Sequence, residues 1–402
     1  MKQDIFDVSV IGAGPAGLAA ALACALAGLK TVAVGPPPGR HDRRTSALFG
    51  GSIDLLKELG VWSEIRPHAE PIVSIRIVDA SHNVLRAPEV LFDAREVGVD
   101  AFGYNIPNVV LTTVLEAACG RLLTRVAGSA TSVVLTDDCV SATVEGQAVQ
   151  SRLAVAADGR LSPTRAAAGI DVSAWTYPQS AIVTTFHHQR PHGDISTELH
   201  YPVGPLTVVP GPGRTSNLVW IDTPDEITRL QTLDDQEFGR ELSSALKGLL
   251  GGLSEFTSRQ SFRLSGQTAR VLAKNRVVVI GEAAHVIPPI GAQGLNLSFR
   301  DAATLAEIAG GAKDRGLDPG AHTTLEQYQN ARRTDIGTRV FAVDMLNRSL
   351  LSNFPGVHLA RGFGLFALAS SRALRARVMR EGIMPAASNP AMMASSRPTG
   401  EM

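Results

Sequence analysis

Residues 277–301 read VVVIGEAAHVIPPIGAQGLNLSFRD, and this stretch decides the fold. A run of β-branched residues ends at Gly281, and a carboxylate, Glu282, follows at once. The pair Pro288–Pro289 then leads into the Gly-rich turn Gly291–Gly294, which opens into a helix. In an open α/β sheet, ligands bind beyond the carboxyl ends of the strands. The stretch therefore predicts a strand, a ligand-facing carboxylate, and a helix N-terminus whose N–H groups can bind an anion or an electron-rich ring.

A second Gly-rich turn lies at the other end of the chain, between an apolar strand (Ile5–Ile11) and an Ala/Leu helix. In this pattern the first glycine permits the tight turn, the second lets the backbone approach a pyrophosphate, and the third lets helix and strand pack closely. The acid expected about 20 residues further on is replaced by Gly35. The alternative is a purely structural glycine turn, but the context favours dinucleotide binding through Gly12, Gly14, Ala16 and Gly17.

A third motif, Asp158-Gly159, closes the predicted strand Leu153–Ala157. An Asp-Gly pair after a strand is more often a plain turn. Together with the two Gly-rich turns it becomes a candidate for cofactor contact, so that loops from distant parts of the chain would bind one long cofactor.

The composition limits the class of protein. The chain has 402 residues, 44% hydrophobic and 19% charged, with a formal net charge of zero. This length predicts two domains of a folded protein. No clustered basic face precedes residue 300, which argues against nucleic acid as a partner. Three scattered cysteines (Cys24, Cys119 and Cys139) predict free thiols in a reducing compartment. No signal peptide is visible, so we expect a cytoplasmic protein.

Hydrophobic periodicity and capping residues predict the elements between the motifs. These are a strand over Thr31–Val34, a helix over Thr45–Leu59, a strand over Ile72–Val78 with a turn at residues 81–83, a helix capped by Asn108 and ending at Leu122, and a helix from Asp234 or Asp235 to Leu250 with Glu237 in a capping box. After Thr323 the chain is predicted to be mostly helical.

The fold class that follows is α/β, with a Rossmann-like dinucleotide-binding domain, an inserted sheet-rich domain and a helical C-terminal extension. Residues 1–70, 96–172 and 264–345 are assigned to the cofactor domain, and residues 71–95 and 173–263 to the substrate domain. Residues 346–384 are expected to form C-terminal helices and residues 385–402 a flexible tail.

The three motifs, in this order, resemble those of the class A flavoprotein monooxygenases, whose type member is p-hydroxybenzoate hydroxylase. Other, less specific stretches of the sequence are similar to the ubiquinone-biosynthesis hydroxylases within that group. The resemblance covers about residues 4–384. The matching stretches include Gly103–Asn108 (GYNIPN), Tyr177–Ile182 (YPQSAI), Gly294–Asp301 and Tyr328–Arg333. Glu282 stands where the group has Asp, and Gly291-Ala292 reverses the usual Ala-Gly order.

The resemblance implies an FAD-dependent monooxygenase that hydroxylates the ring of a phenol, here a polyprenyl phenol, by way of a flavin C4a-hydroperoxide. NAD(P)H would be the reductant and O2 the oxidant. Pro288, Pro289 and Gln293 would surround the flavin C4a position, mainly through their backbone. The remaining cofactor-binding residues would be those of the three motifs together with Arg44, namely Gly12, Gly14, Ala16, Gly17, Arg44, Asp158, Gly159, Gly281, Glu282, Gly291, Ala292, Gly294, Leu295 and Asn296. No metal site is expected.

Several alternatives stay open. The substrate could be a small soluble aromatic, and the chain could also be a flavin-dependent reductase or a flavin-binding assembly subunit without turnover. Residues 330–381 contain nine Arg, no Lys and three acids around an apolar run. This composition indicates a surface that contacts the inner face of a membrane or a partner complex. The alternative is a helical cap on the core that is covered with Arg side chains. His285 is expected to be structural. Of His187 and His188, only one can enter a cavity. Val183, Leu199 and Leu206 could line a substrate channel, although the core is the better interpretation.

Overall fold

A computed structural model of the chain describes residues 5–39, 42–81, 87–352, 355–383 and 389–394. Its strands are β1 (Phe6–Ile11), β2 (Thr31–Gly35), β3 (Thr45–Phe49), β4 (Glu70–Ile72), β5 (Ser74–Asp79), β6 (Val90–Asp93), β7 (Gly103–Pro107), β8 (Thr124–Ala127), β9 (Ala130–Leu135), β10 (Val140–Val144), β11 (Gln147–Ala156), β12 (Val172–His188), β13 (Ile195–His200), β14 (Pro205–Gly211), β15 (Thr215–Asp222), β16 (Leu253–Ser254), β17 (Gln260–Ala269), β18 (Ala273–Lys274), β19 (Val277–Val279) and β20 (His285–Val286). Its helices are α1 (Pro15–Leu26), α2 (Gly50–Glu58), α3 (Trp62–Ile65), α4 (Asn108–Leu122), α5 (Pro163–Ala167), α6 (Pro224–Thr232), α7 (Asp235–Ala245), α8 (Gln293–Asp314), α9 (His322–Leu351), α10 (Pro355–Ser370) and α11 (Arg372–Ile383).

The first sheet contains the predicted dinucleotide-binding unit. Its strands run in the order β18-β19-β11-β1-β2-β8, and β19, β11, β1, β2 and β8 are parallel. Strands β2 and β19 and the end of β11 (Leu153–Ala156) are buried apolar runs, because both faces of a parallel sheet are covered there. Helix α1 is buried along Gly17–Cys24 and apolar on every side, as expected for a helix that packs between a sheet and other helices. The N-terminal Gly-rich turn and Gly281 thus lie at the carboxyl edge of one sheet.

The second sheet runs β20-β17-β12-β15-β14-β13-β5-β6, with β16 paired to β12. Alternate side chains of its strands face opposite sides. On one side, Ile182 and Phe186 of β12 form a core with Phe238 of α7. On the other side, Ala181 of β12 packs in a cluster with Ile290. That second face is therefore turned towards the segment that follows Pro288–Pro289.

Strands from both ranges assigned to the substrate domain, 71–95 and 173–263, lie in this second sheet. Its edge strand β20 comes from the range assigned to the cofactor domain. The two proposed domains are thus joined by a shared sheet edge directly after Glu282.

The predicted helix over Thr45–Leu59 is wrong in its first third. Thr45–Phe49 is strand β3, paired antiparallel with β7, and α2 begins only at Gly50. The leucine spacing is compatible with a helix, but Gly103, opposite Phe49 in the paired strand β7, favours pairing. A Cβ at Gly103 would lie 1.9 Å from the Leu48 carbonyl oxygen, so the two backbones approach closely there.

The structure also corrects three smaller predictions of secondary structure. Asn108 is the first residue of α4 rather than its cap, and its amide instead bonds Ser46 and Asp42. The predicted strand Ile72–Val78 divides between β4 and β5 in different sheets. Helix α7 is capped by Asp234, whose carboxylate accepts from the Glu237 N–H as predicted, but it ends at Ala245. Residues 82–83 of the expected turn lie outside the described residues.

The C-terminal helices α10 and α11 pack on the β6 edge of the second sheet. Leu365 of α10 and Met379 of α11 are buried with Phe92 and Phe102. Residues 389–394 of the expected flexible tail are ordered against the core, where Met393 is 1% exposed; the rest of that range lies outside the described residues. Among the described helices, none combines the length and the apolar character needed to cross a bilayer.

Candidate functional site

The N-terminal Gly-rich turn leaves open space above the first helix. A Cβ at Gly12 would lie 2.1 Å from the Ala157 carbonyl oxygen, and one at Gly17 would lie 2.1 Å from the Gly12 carbonyl oxygen, whereas one at Gly14 would meet nothing within 4 Å. Helix α1 begins just after Gly14 without a side-chain cap. Its first N–H groups and the positive end of its dipole therefore face open space, the arrangement that binds a phosphate.

Gly35 brings this turn unusually close to strand β2. A Cβ at Gly35 would lie 2.7 Å from the backbone nitrogen of Ala13. The missing acid is thus not a vacant position, because Ala13 of the turn fills the space that a side chain would need.

The Asp158 side chain of the Asp158-Gly159 motif bonds residues of the loop that follows it. The Asp158 carboxylate accepts hydrogen bonds from the Ser162 hydroxyl and from the backbone N–H and hydroxyl of Thr164, the latter two at 3.0 and 2.7 Å. Arg165 then donates to the Ala283 carbonyl oxygen at 2.9 Å. The carboxylate therefore shapes the loop and links it to the turn after β19, so its own oxygens are largely engaged.

The turn after β19 meets the N-terminal helix. Gly281 has a φ of +58°, and a Cβ there would lie 3.3 Å from the Ala16 Cβ. The Glu282 side chain is exposed, and no hydrogen bond or ion pair engages it among the described residues. The structure thus brings Gly12, Ala16, Asp158 and Gly281 together at one sheet edge, with a free carboxylate beside them.

Arg44 faces the same space as Glu282. Its pKa is raised by a hydrogen bond to Asp42 and, to a smaller extent, by the charges of Asp42 and Glu282. The guanidinium bonds Asp42 through two nitrogens, both at 2.8 Å. Arg44 also lines the cavity described below, which fits its predicted place beside the cofactor.

The second Gly-rich turn also ends in an uncapped helix. Gly291 and Ala292 have φ values of +66° and +52°, so a non-glycine residue adopts the left-handed region there. Helix α8 begins at Gln293 with no side-chain cap, and Gly294 has open space around it. The Gln293 amide donates to the Gly291 carbonyl oxygen and accepts from Arg339 at 2.9 and 3.0 Å. The turn is held from within, while its N–H groups stay open.

The side-chain amide of Asn296 bonds protein groups through both its oxygen and its nitrogen. Its amide oxygen accepts from the Phe49 N–H and the Ser52 hydroxyl at 2.9 and 2.7 Å. Its amide nitrogen donates to the carbonyl oxygens of Ala47 and Ala292 at 2.8 and 2.7 Å. The side chain is saturated and fixes the turn to β3 and α2, so a cofactor contact at this position would fall to the backbone. Leu295 packs against the core.

A buried ionic network lies beneath this turn. Asp301 is fully buried and accepts from His285 and Arg332 at 2.7 and 2.8 Å and from the Gly281 N–H at 3.2 Å. Arg332 continues to Asp335 at 2.7 Å. Burial raises the pKa of Asp301, but His285 and Arg332 outweigh this effect and lower it. His285 is thus buried and hydrogen-bonded through Nε2 to Asp301, and its structural role stays a prediction.

The same network contains Arg300, whose guanidinium bonds Asp335 at 2.9 Å. Burial is the main cause that lowers the pKa of Arg300 to about 10. The sequence identified Arg300, Asp301 and Arg332 only as members of matching stretches, without a role, because α8 and α9 must pack before their charges meet.

A cavity of about 230 Å³ separates the Pro289 segment from the inserted sheet. The cavity is lined by the segment around Arg44, the start of α4, Pro289, strands β12, β15 and β17, and the loop before β17. The lining residues include Thr45, Ser46, Asn108, Val183, Thr184, Thr185, Asn217, Val219, Thr257, Gln260 and Phe262. Val183 is one of the three residues proposed for a channel. Leu199 and Leu206 belong to the core on the opposite face. Of the histidine pair, His188 is buried and His187 exposed.

Comparison with known proteins agrees with this geometry. A family model described as "FAD binding domain" matches residues 6–340. The chain therefore belongs to the FAD-binding family, and within it the chain is an FAD-dependent monooxygenase.

Two characterised relatives match along nearly their whole length. The chain is 34% identical to the ubiquinone hydroxylase UbiL of Rhodospirillum rubrum over 94% of this chain and 90% of that protein. It is 28% identical to the 3-demethoxyubiquinol 3-hydroxylase of Escherichia coli over 94% of this chain and 99% of that protein.

Solved structures show the same fold. The p-nitrophenol 4-monooxygenase PnpA of Pseudomonas putida superposes with a TM-score of 0.76 at 19% identity, covering 94% of this chain and 97% of that one. PqsL of Pseudomonas aeruginosa gives 0.73 at 21% identity, covering 88% of this chain and 100% of that one. Such low identities support the fold alone.

Proposed function

We propose that this protein hydroxylates the aromatic ring of a polyprenyl phenol in ubiquinone biosynthesis. The observation that carries the proposal is the cavity between Pro289 and the inserted sheet. Arg44, which is a candidate cofactor contact, lies in the wall of this cavity. The relatives with the names ubiquinone hydroxylase and demethoxyubiquinol hydroxylase support this substrate class.

The residues present fit FAD. The open N–H groups at Gly14 and the start of α1 would hold the pyrophosphate, and the free Glu282 carboxylate would bind a ribityl hydroxyl. The turn from Gly291 to Gly294 would lie along the pyrimidine side of the flavin, with Arg44 nearby. Bound FAD, with NAD(P)H as reductant and O2 as oxidant, would supply the oxygen-transfer chemistry for which no side chain here is suited.

The chain's own part is positioning, polarity and exclusion of water. The α8 N-terminus stabilises negative charge that develops beside it. Pro288 is buried and Pro289 forms one wall of the cavity, so the backbone there is rigid and one potential N–H donor is absent at each position. Val183, Val219 and Phe262 supply an apolar wall opposite.

The direct test is product analysis. The purified holoprotein, supplied with NAD(P)H and isotopically heavy O2, is incubated with 2-geranylphenol, and the products are examined by mass spectrometry. A hydroxylated product that carries one heavy oxygen atom supports the proposal. Conversion only of a small aromatic such as 4-hydroxybenzoate would favour a hydroxylase of soluble substrates. NAD(P)H oxidation without any hydroxylated product would favour a reductase or a flavin-binding assembly subunit.

We also propose that the outer face of the α10–α11 pair contacts an anionic membrane surface, where a polyprenyl substrate would reside. Phe363 and Phe366 are 74% and 58% exposed, on the side of α10 opposite the buried Leu365. Arg372, Arg377 and Arg380 on α11 are exposed and have no ion-pair partner within the described residues. The inner face of the same helices packs on the core, so the pair is a helical cap whose outer side combines aromatic and cationic groups.

A further inference from the structure

One end of the cavity carries a pair of polar side chains from neighbouring strands. Thr185 of β12 and Asn217 of β15 are directly paired in the antiparallel register, so both point to the same face of the sheet. Both line the cavity, across from Pro289. Asn217 is 8% exposed, and its position therefore depends on the groups that bond it.

The hydrogen bonds of this pair run in one direction. The Asn105 amide nitrogen donates to the Pro210 carbonyl oxygen at 2.7 Å and to the Asn217 amide oxygen at 2.8 Å. A carbonyl oxygen can only accept, so the Asn105 amide cannot be turned round. The Asn217 oxygen is therefore the acceptor, and its amide nitrogen must donate to the Thr185 hydroxyl oxygen, at 2.6 Å.

The backbone of Thr185 is also fixed by hydrogen bonds. Its N–H donates to the Thr257 hydroxyl at 3.0 Å, and its strand pairs with β15 on one side. The hydroxyl oxygen accepts from Asn217, and within the described chain its proton has no acceptor. The hydroxyl proton is thus free to donate to a group in the cavity that Thr185 lines.

We propose that Thr185 is a specificity-determining residue that donates a hydrogen bond to an acceptor oxygen on the ring of the aromatic substrate. Asn217 and Asn105 are positioning residues that orient this donor. The inference rests on the proposed function, because it takes the cavity to be the substrate site. It adds the chemistry of recognition: an aromatic ring with a phenol, ether or quinone oxygen is selected over the same ring without one.

The test compares two probes on the FAD-loaded protein by isothermal titration calorimetry. The probes are 2-geranylphenol and geranylbenzene, which differ only in the ring oxygen. The wild-type protein is expected to bind the phenol about tenfold more tightly, as one well-placed hydrogen bond allows. Thr185→Val should bind both probes equally, and Thr185→Ser should keep the preference.

Thr207→Val is the matched control. Thr207 and Thr185 lie on the same face, since Val219 pairs with Thr207 and Asn217 with Thr185 two residues away on the same strand, but Thr207 does not line the cavity. This variant should keep the full preference for the phenol.

A second variant reverses the hydrogen-bond direction with almost no change of shape. In Asn217→Asp the introduced carboxylate can only accept, so at pH 8 it should take the Thr185 proton away from the cavity. The preference for an acceptor-only probe, 2-geranylanisole over geranylbenzene, should then fall to the level of Thr185→Val, because an ether oxygen cannot donate to the reversed hydroxyl. Because this readout is a ratio between two probes, a general loss of stability would not produce it.

Two outcomes separate the failure of the inference from that of the proposed function. If the wild-type protein binds both probes but Thr185→Val keeps the tenfold preference, or if the wild type shows none, the role of Thr185 is refuted and the substrate class stands. If the FAD-loaded wild type binds neither probe, the prenylated aromatic itself is refuted, and the inference with it.

Discussion

The buried carboxylate Asp301 should be the most sensitive position beneath the cofactor turn. Asp301→Asn keeps the shape of the side chain but removes the charge that faces Arg332 and His285 at 2.8 and 2.7 Å. Asp301 and Arg332 are both fully buried, so Arg332 would lose one of its two counter-charges. Breaking a buried pair in this way costs about 3–5 kcal/mol. We expect that loss in the free energy of unfolding.

The loss should also reach the cofactor. Asp301 accepts from the Gly281 N–H, and Gly281 immediately precedes Glu282, so the turn is expected to loosen. Urea unfolding of the purified protein gives the stability, and the ratio of flavin to protein absorbance gives the FAD content. The matched control is Glu226→Gln, which breaks an exposed pair with Arg229 whose side chains are 33% and 46% exposed. That change should cost less than about 1 kcal/mol.

An Asp301→Asn protein as stable as the Glu226→Gln control would refute the assignment of the network as the support of the turn. The network also predicts the dependence on pH. The pKa values of Asp301 and Asp335 are lowered in the folded protein. Stability from such groups is present above the pKa of the unfolded chain and is lost as the pH falls through the folded value. Unfolding free energy should therefore drop below about pH 4, and Asp301→Asn should flatten this dependence.

Three further changes have expected outcomes. Ala292→Gly should raise the free energy of unfolding by roughly 1 kcal/mol, because Ala292 adopts a left-handed φ of +52° that only glycine adopts without strain; an unchanged urea midpoint would contradict this. Gly35→Glu, which restores the acid of the common motif, should lower the affinity for FAD, because its Cβ would lie 2.7 Å from the Ala13 nitrogen. Tighter FAD binding in a flavin-fluorescence titration would contradict this, because the turn would then have moved to make room for the side chain. Phe363→Ala combined with Phe366→Ala should reduce flotation of the protein with phosphatidylglycerol vesicles several-fold. The control is Leu161→Ala, at a loop position where the leucine is 86% exposed, and it should leave flotation unchanged. Equal flotation of both variants would rule out the α10–α11 face as the membrane contact.

The sequence predicts the cofactor edge well because its signals are local. At Gly12 a strand, a glycine turn and a helix lie within a few residues of one another, and at Gly281 a glycine follows the end of a strand. At both positions a close neighbour of the missing Cβ atom explains the glycine. Parallel strands then bring these turns to one edge of the sheet. For that reason the convergence of Ala16, Asp158 and Gly281 could be predicted without coordinates.

Positions whose role depends on distant partners could not be predicted in this way. Thr45–Phe49 has helical leucine spacing, and only the partner strand β7 decides that it is extended. Asn296 is saturated by groups from residues 47–52 and 292, which sequence distance hides. The polar line Asn105, Asn217 and Thr185 joins three segments more than thirty residues apart, so it arises only from the register of strands that no local pattern sets.

The central claim is that loops from opposite ends of the chain bind one FAD molecule together. It is tested most directly by the FAD content of three purified proteins: the wild type, Gly14→Val at the N-terminal turn, and Glu282→Ala after β19. We expect a yellow wild-type protein with about one FAD per chain and a large loss of FAD in both variants, each still folded by circular dichroism. A colourless wild type that cannot be reconstituted with FAD, or a Glu282→Ala protein that stays saturated, would contradict it.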